Sequence, residues 1–290
     1  MRILDALPPH NLFGVESEYE NSKVIVFPVP YDSTVSYRSG AREGPHAIIE
    51  ASRNLELFSE ELETDVSKIG VFTVEDLEPD VSSPENNIRR IEKEVLLALE
   101  DGKVPLLLGG DHSIALGGIT AASRKYKEFT VLHFDAHSDA RDEYMGSKYG
   151  HANVMARARE ISKSCISIGV RSTFSEAYSK HEKDTIYRKN MRGKSPEEIG
   201  KDIAKKSKGR VYITIDVDVL DPGIMPSTGT PEPDGLSFHE LTHIIKTVLE
   251  DKELIGMDVC ELNPIPGIVA PDFLVAKMTY LILGYAFCKK

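Results

Sequence analysis

The sequence predicts an α/β fold: three layers, doubly wound, around a mostly parallel sheet of eight strands. Three observations predict it. Short apolar runs alternate with helical patterns from about residue 23 to the end. Several of those runs are near-continuous in Val, Ile and Leu, as expected of strands buried on both faces of a parallel sheet. The helices between them carry their own start signals, and a repeated β–α order builds a doubly wound sheet.

Taken in chain order, the expected strands are 23–29, 69–74, 104–108, 130–134, 166–170, 185–187, 211–215 and 254–259. Ser83-Pro84-Glu85 opens a helix with an N-cap, a proline at the first helical position and an acid in the first turn. Ile88, Ile91, Val95 and Leu99 then form its apolar stripe at spacings of three and four. Ser195-Pro196-Glu197-Glu198 starts a second helix as a capping box, and Ser237 with Glu240 starts a third. The last helix is expected over 271–287. Residues 1–20 read as an irregular extension, and 220–235 (LDPGIMPSTGTPEPDG) as a long loop of the functional kind. No linker interrupts the chain, so residues 1–290 are expected to form one domain.

The balance of 35 basic and 46 acidic residues leaves a net charge of −11. That disfavours broad, sequence-blind nucleic-acid binding, where Lys and Arg supply most of the affinity, and an anionic membrane surface for the same reason. Three cysteines without CxxC spacing point to a reducing compartment. The first residues lack a basic region followed by an apolar run, so no secretory signal is expected. The greasiest stretch, 278–288, is far short of the ~20 residues that span a bilayer. The expectation is a cytoplasmic protein.

Three clusters of acids and histidines each follow an expected strand: Gly109-Gly110-Asp111-His112-Ser113, Asp135-Ala136-His137-Ser138-Asp139 and Asp216-Val217-Asp218. In open α/β sheets ligands bind at the carboxyl ends of strands. On extended chain, side chains two apart point the same way, so Asp135, His137 and Asp139 share a side, as do Asp216 and Asp218. An isolated Asp-x-Asp after a strand is usually a turn or a solvated rim. Three clusters at three strand ends are another matter, because four carboxylates and two imidazoles gathered together are too costly to bury without cations. Two divalent ions remove the cost, and the mixed oxygen and nitrogen donors suit manganese. Asp111 is expected to hydrogen-bond to backbone, and Asp221 before Pro222 to fix a turn. His133 is expected to be a satisfied core histidine or one that supports a neighbour, and Cys260 a small core residue.

These three motifs, in this order, resemble those of the ureohydrolases, the arginase and agmatinase family, and the resemblance covers most of the chain. Tyr31-Asp32-Ser33 with Gly40-Ala41-Arg42-Glu43-Gly44-Pro45 is similar to the amino-terminal pattern of agmatinases. Thr228-Gly229-Thr230-Pro231-Glu232 and the segment 257–264 resemble the later active-site segments. The resemblance implies an arginase-like fold, two Mn2+ per chain and a homotrimer or homohexamer. It implies that His112, Asp135, Asp139 and Asp216 hold one manganese, and Asp135, His137, Asp216 and Asp218 the other. It implies that His151 shuttles protons and Glu261 grips the substrate guanidinium. Many members read His-Gly at the shuttle, where this chain reads His151-Ala152-Asn153; the added methyl is expected to narrow that loop. Two cations a few Å apart (~3.5–4 Å) acidify a shared water. Asp139 then orients the nucleophile and accepts its proton, and Asp139 or His151 protonates the leaving amine.

Arginases resemble one another in an Asn two residues after DAHxD; here that position is Arg141, which argues against arginine. A bare amine tail would suit nearby acids such as Asp142, Glu143 or Glu232, and the resemblance of the amino-terminal pattern to agmatinases implies agmatine, so the expected reaction is agmatine to putrescine and urea. Arg141 suits a carboxylate tail, and guanidinobutyrase, formiminoglutamase or arginase activity on the same site is the alternative. A remoter alternative is a zinc metalloprotease, because His239-Glu240-Leu241-Thr242-His243 spells HExxH. Against it, Glu240 already serves the Ser237 capping box, and no third ligand is evident shortly downstream.

Overall fold

A computed structural model of the protein describes residues 9–288. Its main sheet has eight strands in the order β4-β1-β5-β10-β9-β6-β7-β8, and every pairing between them is parallel. The strands are β1 (Val24–Val29), β4 (Val71–Thr73), β5 (Val104–Gly109), β6 (Phe129–Phe134), β7 (Cys165–Val170), β8 (Thr185–Tyr187), β9 (Arg210–Asp216) and β10 (Leu254–Cys260). A two-residue antiparallel pair, β2 (Phe58–Ser59) with β3 (Thr64–Asp65), lies apart and was not expected from the sequence. β4 is shorter than expected because Ile69 belongs to a 3-10 turn, Val66–Ile69, that Asp65 caps through the Ser67 amide.

The strands alternate their loyalties, as a pleat requires. Val24, Val26, Leu106 and Leu108 join the core on one face, and Ile25, Phe27 and Leu107 the core on the other. Helices α1 (Gly44–Ser52), α6 (Pro196–Lys206), α7 (Phe238–Asp251) and α8 (Ala270–Phe287) supply side chains to the first core. Helices α2 (Pro84–Glu100), α3 (Ala115–Lys125) and α4 (Val154–Ile161) supply the second, and the short α5 (Ser175–His181) follows β7. The result is a three-layer sandwich.

Local signals set the helix starts. Ser83, Ser195 and Ser237 each accept from a backbone amide three residues on, and the last two complete capping boxes with Glu198 and Glu240. The greasy 278–288 stretch forms the end of α8 and its C-cap, Cys288; the helix packs against α1 and α7 and is buried on nearly every side. Among the described residues no helix is long and apolar enough to cross a membrane.

Of the expected extension, residues 1–8 lie outside the described residues. Residues 9–20 are irregular apart from a 3-10 turn, Leu12–Gly14, yet this segment is pinned. The Leu12 and Phe13 amides donate to Thr73 Oγ1 and Ser52 Oγ at 3.0 and 2.8 Å, and both side chains are buried.

Sheet order decides where chemistry can happen. The chain leaves β5 and enters β6 three positions away, and β10 and β9 later fill the two places between them. The carboxyl ends of β5, β10, β9 and β6 therefore open side by side, at the kind of crevice where α/β sheets bind ligands.

Candidate active site and metal centre

Each of those four central strands delivers one motif. β5 ends at Gly109, and Asp111 caps the 3-10 turn His112–Ile114 by accepting from the Ser113 amide at 3.1 Å. Gly110 must be glycine: a Cβ there would sit 1.9 Å from the Tyr31 carbonyl oxygen, to which the Asp111 amide donates at 2.7 Å. Asp111 also accepts from the Thr34 amide and hydroxyl, each at 2.9 Å, and Thr34 Oγ1 in turn accepts from the His151 amide at 2.9 Å. Asp111 thus serves backbone, as its sequence context indicates, and its contacts also place His151.

Asp135, His137 and Asp139 follow β6. Asp216 ends β9 and Asp218 sits in the 3-10 turn Val217–Val219. The expectation that extended chain aligns these side chains needs correction. Asp139 has a positive φ of 44°, and Asp218 stands on a turn capped by Asp216 Oδ1, which accepts from the Asp218 amide at 2.9 Å. Tight turns, rather than strand parity, bring the side chains together. Glu261 follows β10 with a φ of 66°, and its amide donates to the Gly110 carbonyl at 2.8 Å. Non-glycine residues held at positive φ cost about 1–3 kcal/mol and cluster at functional sites.

The convergence is close. Buried His112 points Nδ1 at Asp135 Oδ2 (3.2 Å), Asp139 Oδ2 (3.2 Å) and Asp216 Oδ2 (3.5 Å), yet Nδ1 makes no hydrogen bond. His137 Nδ1 stands 2.9 Å from Asp218 Oδ2 and 3.6 Å from Asp135 Oδ1. Of three groups able to hold a cation among the described residues, one has His112, Asp135 and Asp139 together with His133, and another Asp135, His137 and Asp218; the third, His112 with Asp258 and Cys260, lies behind the ring, where Asp258 is already bonded by Thr214. Asp135 belongs to the first two. An orphaned imidazole nitrogen facing three carboxylate oxygens fits a divalent ion, and oxygen and nitrogen donors without thiolate fit manganese.

Electrostatics point the same way. Burial works against a charged His112, but Asp135, Asp139 and Asp216 overcome it and hold the ring well above its ordinary value. Burial likewise opposes a charged His137, but Asp135 and Asp218 push it up to about 12. Asp216 is raised by burial and by the charges of Asp218 and Asp135. Asp135 stays well below the usual carboxylate range despite burial, because His133, His112 and His137 surround it. A site that draws protons onto its imidazoles is a site that favours positive charge.

Sequence reasoning missed the residues behind His112. Its Nε2 lies 2.8 Å from Thr214 Oγ1, and the Thr214 hydroxyl donates to Asp258 Oδ1 at 2.6 Å. Thr214 spends its proton on Asp258, so its oxygen accepts the Nε2 proton and the Nδ1 lone pair is left facing the carboxylates. A buried acid inside the strand LIGMDVC was the available signal for Asp258. His133 supports Asp135, with Nε2 at 2.7 Å from Asp135 Oδ2 and Nδ1 at 3.2 Å from Ser167 Oγ.

A cleft of about 250 Å3 opens beside these groups, lined on its inner side by His137, Asp139, Asp216 and Glu261 and farther out by Arg141, Tyr144, His151 and Phe174. Glu261 Oε1 accepts from the His112 amide at 2.8 Å, and His151 Nδ1 stands 3.8 Å away. Burial, then the nearby Asp111 charge, push the Glu261 carboxyl well above its ordinary value. The His151 turn is braced by Asn153, whose side chain accepts from the Gly150 amide at 3.0 Å and donates to the Arg141 carbonyl at 2.7 Å. Arg141 lays its guanidinium over Phe174 and Tyr144, at 4.6 and 5.2 Å from the ring centroids.

The amino-terminal pattern has a physical reason. Asp32 Oδ1 accepts from Arg42 Nε at 2.6 Å and Oδ2 from the Gly40 amide at 2.8 Å. Gly40 and Gly44 then approach the segment that carries Glu261; a Cβ on them would meet Asn263 Oδ1 at 2.4 Å and the Leu262 carbonyl at 2.6 Å. Asp221 accepts from the Gly223 and Gly235 amides at 2.9 and 3.0 Å and so closes the 220–235 loop.

His239 and His243 stand apart from all this. Glu240 is held by the Ser237 amide and by Arg188 Nη1 at 2.8 and 2.9 Å, and His243 Nδ1 turns back to the His239 carbonyl at 3.1 Å. Among the described residues, no group of three potential ligands includes either histidine.

Known proteins give this architecture a family. The model of the arginase family matches residues 22–284. The chain is 36% identical to N(1)-aminopropylagmatine ureohydrolase of Synechocystis over 93% of this chain and 90% of the other. It is 32% identical to the agmatinase of Bacillus subtilis, over 91% of this chain and 92% of that one. The crystal structure of agmatine ureohydrolase of Thermoplasma volcanium superposes with a TM-score of 0.86 at 32% identity, covering 93% and 92% of the two chains. With its fold, its convergent strand ends and these relatives together, the chain belongs to the arginase family and is a ureohydrolase, a hydrolase acting on the amidine C–N bonds of guanidino compounds.

Proposed function

We propose that this enzyme uses two manganese ions to hydrolyse agmatine to putrescine and urea, and that it also accepts agmatine lengthened by an aminopropyl group. The observation that carries the metal reading is the unpartnered Nδ1 of buried His112, facing three carboxylates. His112, Asp135, Asp139 and Asp216 would hold one ion, and Asp135, His137, Asp216 and Asp218 the other, with Asp135 and Asp216 shared. When bound, the pair supplies an acidified water at neutral pH.

The chain's own residues do the rest. Glu261 is buried and reluctant to ionise alone, so a planar guanidinium with several N–H donors is a matched partner for its carboxylate. Asp139 orients the nucleophile and takes its proton. The departing nitrogen must leave as a protonated amine, and Asp139 or the His151 ring, whose Nε2 is buried without a hydrogen bond, returns a proton to it.

The amine tail is supported by the relatives named for agmatine and aminopropylagmatine. A second reading, a carboxylate tail as in 4-guanidinobutyrate, draws on Arg141, which lines the cleft without an acidic partner among the described residues.

Urea release by the manganese-loaded enzyme from agmatine, N1-aminopropylagmatine, arginine and 4-guanidinobutyrate tests the assignment. The amine-tailed pair is expected to lead in kcat/KM by at least about tenfold, roughly 1.4 kcal/mol of discrimination. A lead for 4-guanidinobutyrate reassigns the substrate, and no urea from any of the four overturns the activity on them.

A further inference from the structure

Arg171 follows directly on β7 and belongs to none of the motifs above. Its amide and that of Ser172 both donate to the Ala136 carbonyl, at 2.8 and 2.9 Å. Its side chain reaches into the loop after β9. There Nη2 donates to the Asp218 and Glu232 carbonyls at 2.7 and 2.8 Å, and Nε to the Pro233 carbonyl at 2.8 Å. The Leu220, Val219 and Gly169 carbonyls lie at 3.3, 3.3 and 3.4 Å. All of these acceptors are main-chain oxygens.

A long Pro/Gly-rich loop has few donors of its own for inward-facing carbonyls, and buried carbonyls need donors. A guanidinium offers five N–H groups in one rigid plane, enough to gather carbonyls from both arms of the loop. The groups it gathers adjoin the candidate metal centre. Asp218 faces His137, Glu232 Oε1 stands 3.8 Å from His137 Nε2, and the Ala136 amide donates to Asp218 Oδ1 at 3.0 Å.

We infer that Arg171 is a positioning residue for the ion assigned to Asp135, His137, Asp216 and Asp218, fixing the Asp218 turn and the Glu232 arm relative to the end of β6. The inference rests on the proposed two-ion centre. It explains why a charged side chain is spent on main-chain carbonyls while the nearby Asp218 and Glu232 carboxylates act on it only through space: its work is geometric.

The test uses Arg171→Lys and Arg171→Ala beside the wild type, with manganese affinity measured calorimetrically for each ion, urea release, and addition of millimolar guanidinium ion. Both variants are expected to weaken one ion by about 10–100-fold, the usual effect of losing a group that orients ligands, with the other ion little changed. Lysine fails because its ammonium cannot span both arms of the loop. In Arg171→Ala, free guanidinium is expected to restore part of the affinity and rate, with no activation of the wild type. If Arg171→Ala does not fold, the affinity split in Arg171→Lys decides. Unchanged affinities, or equal weakening of both ions without rescue, overturn the inference. A wild type that binds no manganese instead refutes the two-ion centre on which it rests.

Discussion

His112 shows what a single residue has to satisfy here. An imidazole serves an ion through one nitrogen only if the other is committed, and Thr214 with Asp258 commits it. Thr214→Val removes that acceptor at nearly constant volume. The expected outcome is manganese binding weaker by about 10–100-fold, together with a stability cost of about 1–3 kcal/mol because the buried Asp258 carboxyl loses its donor. Isothermal titration of the variant checks it, and wild-type affinity would show that the ring needs no such support. The metal-facing residues were legible in sequence because Asp135, His137 and Asp139 fall within five residues and Asp216 and Asp218 within three, each set at the end of an apolar run. Thr214, Asp258 and Arg171 were not, because each acts through a partner distant in sequence: Asp258 lies 44 residues from Thr214, and Arg171 lies 47 residues from Asp218.

At the scale of elements, strands and their capping signals were readable, and turn geometry was not. The three Ser N-caps stand where the sequence puts them, since a cap depends only on its next few residues. The alignment of Asp216 with Asp218 and of Asp135 with Asp139 comes from turns and a positive φ, which depend on contacts to Ala136 and α4 that no local pattern records. The same scale separates the HExxH spelling from its usual meaning. Ser237→Ala removes a helix cap and is expected to cost about 1 kcal/mol of stability. His239→Ala, on the exposed side of α7, is expected to leave urea release and metal content unchanged. Thermal unfolding and a metal assay of the two variants check both outcomes, and loss of metal in His239→Ala would return α7 to the chemistry.

For the whole molecule, the sheet order carries the argument. The apolar runs predicted eight strands but not their neighbours, since every run buried on both faces looks alike. The order β5-β10-β9-β6 places four motif-bearing carboxyl ends together, including that of Glu261, which lies 149 residues from His112. The net charge of −11 is at home in a protein whose centre gathers carboxylates for cations and whose family acts on cationic guanidino groups. The most direct measurement is the manganese content of the full-length wild-type protein, saturated with the ion and freed of excess. About two ions per chain is the result expected of a paired centre. One ion or none would contradict it, leaving the carboxylates around His112 and His137 without the cations that their arrangement requires.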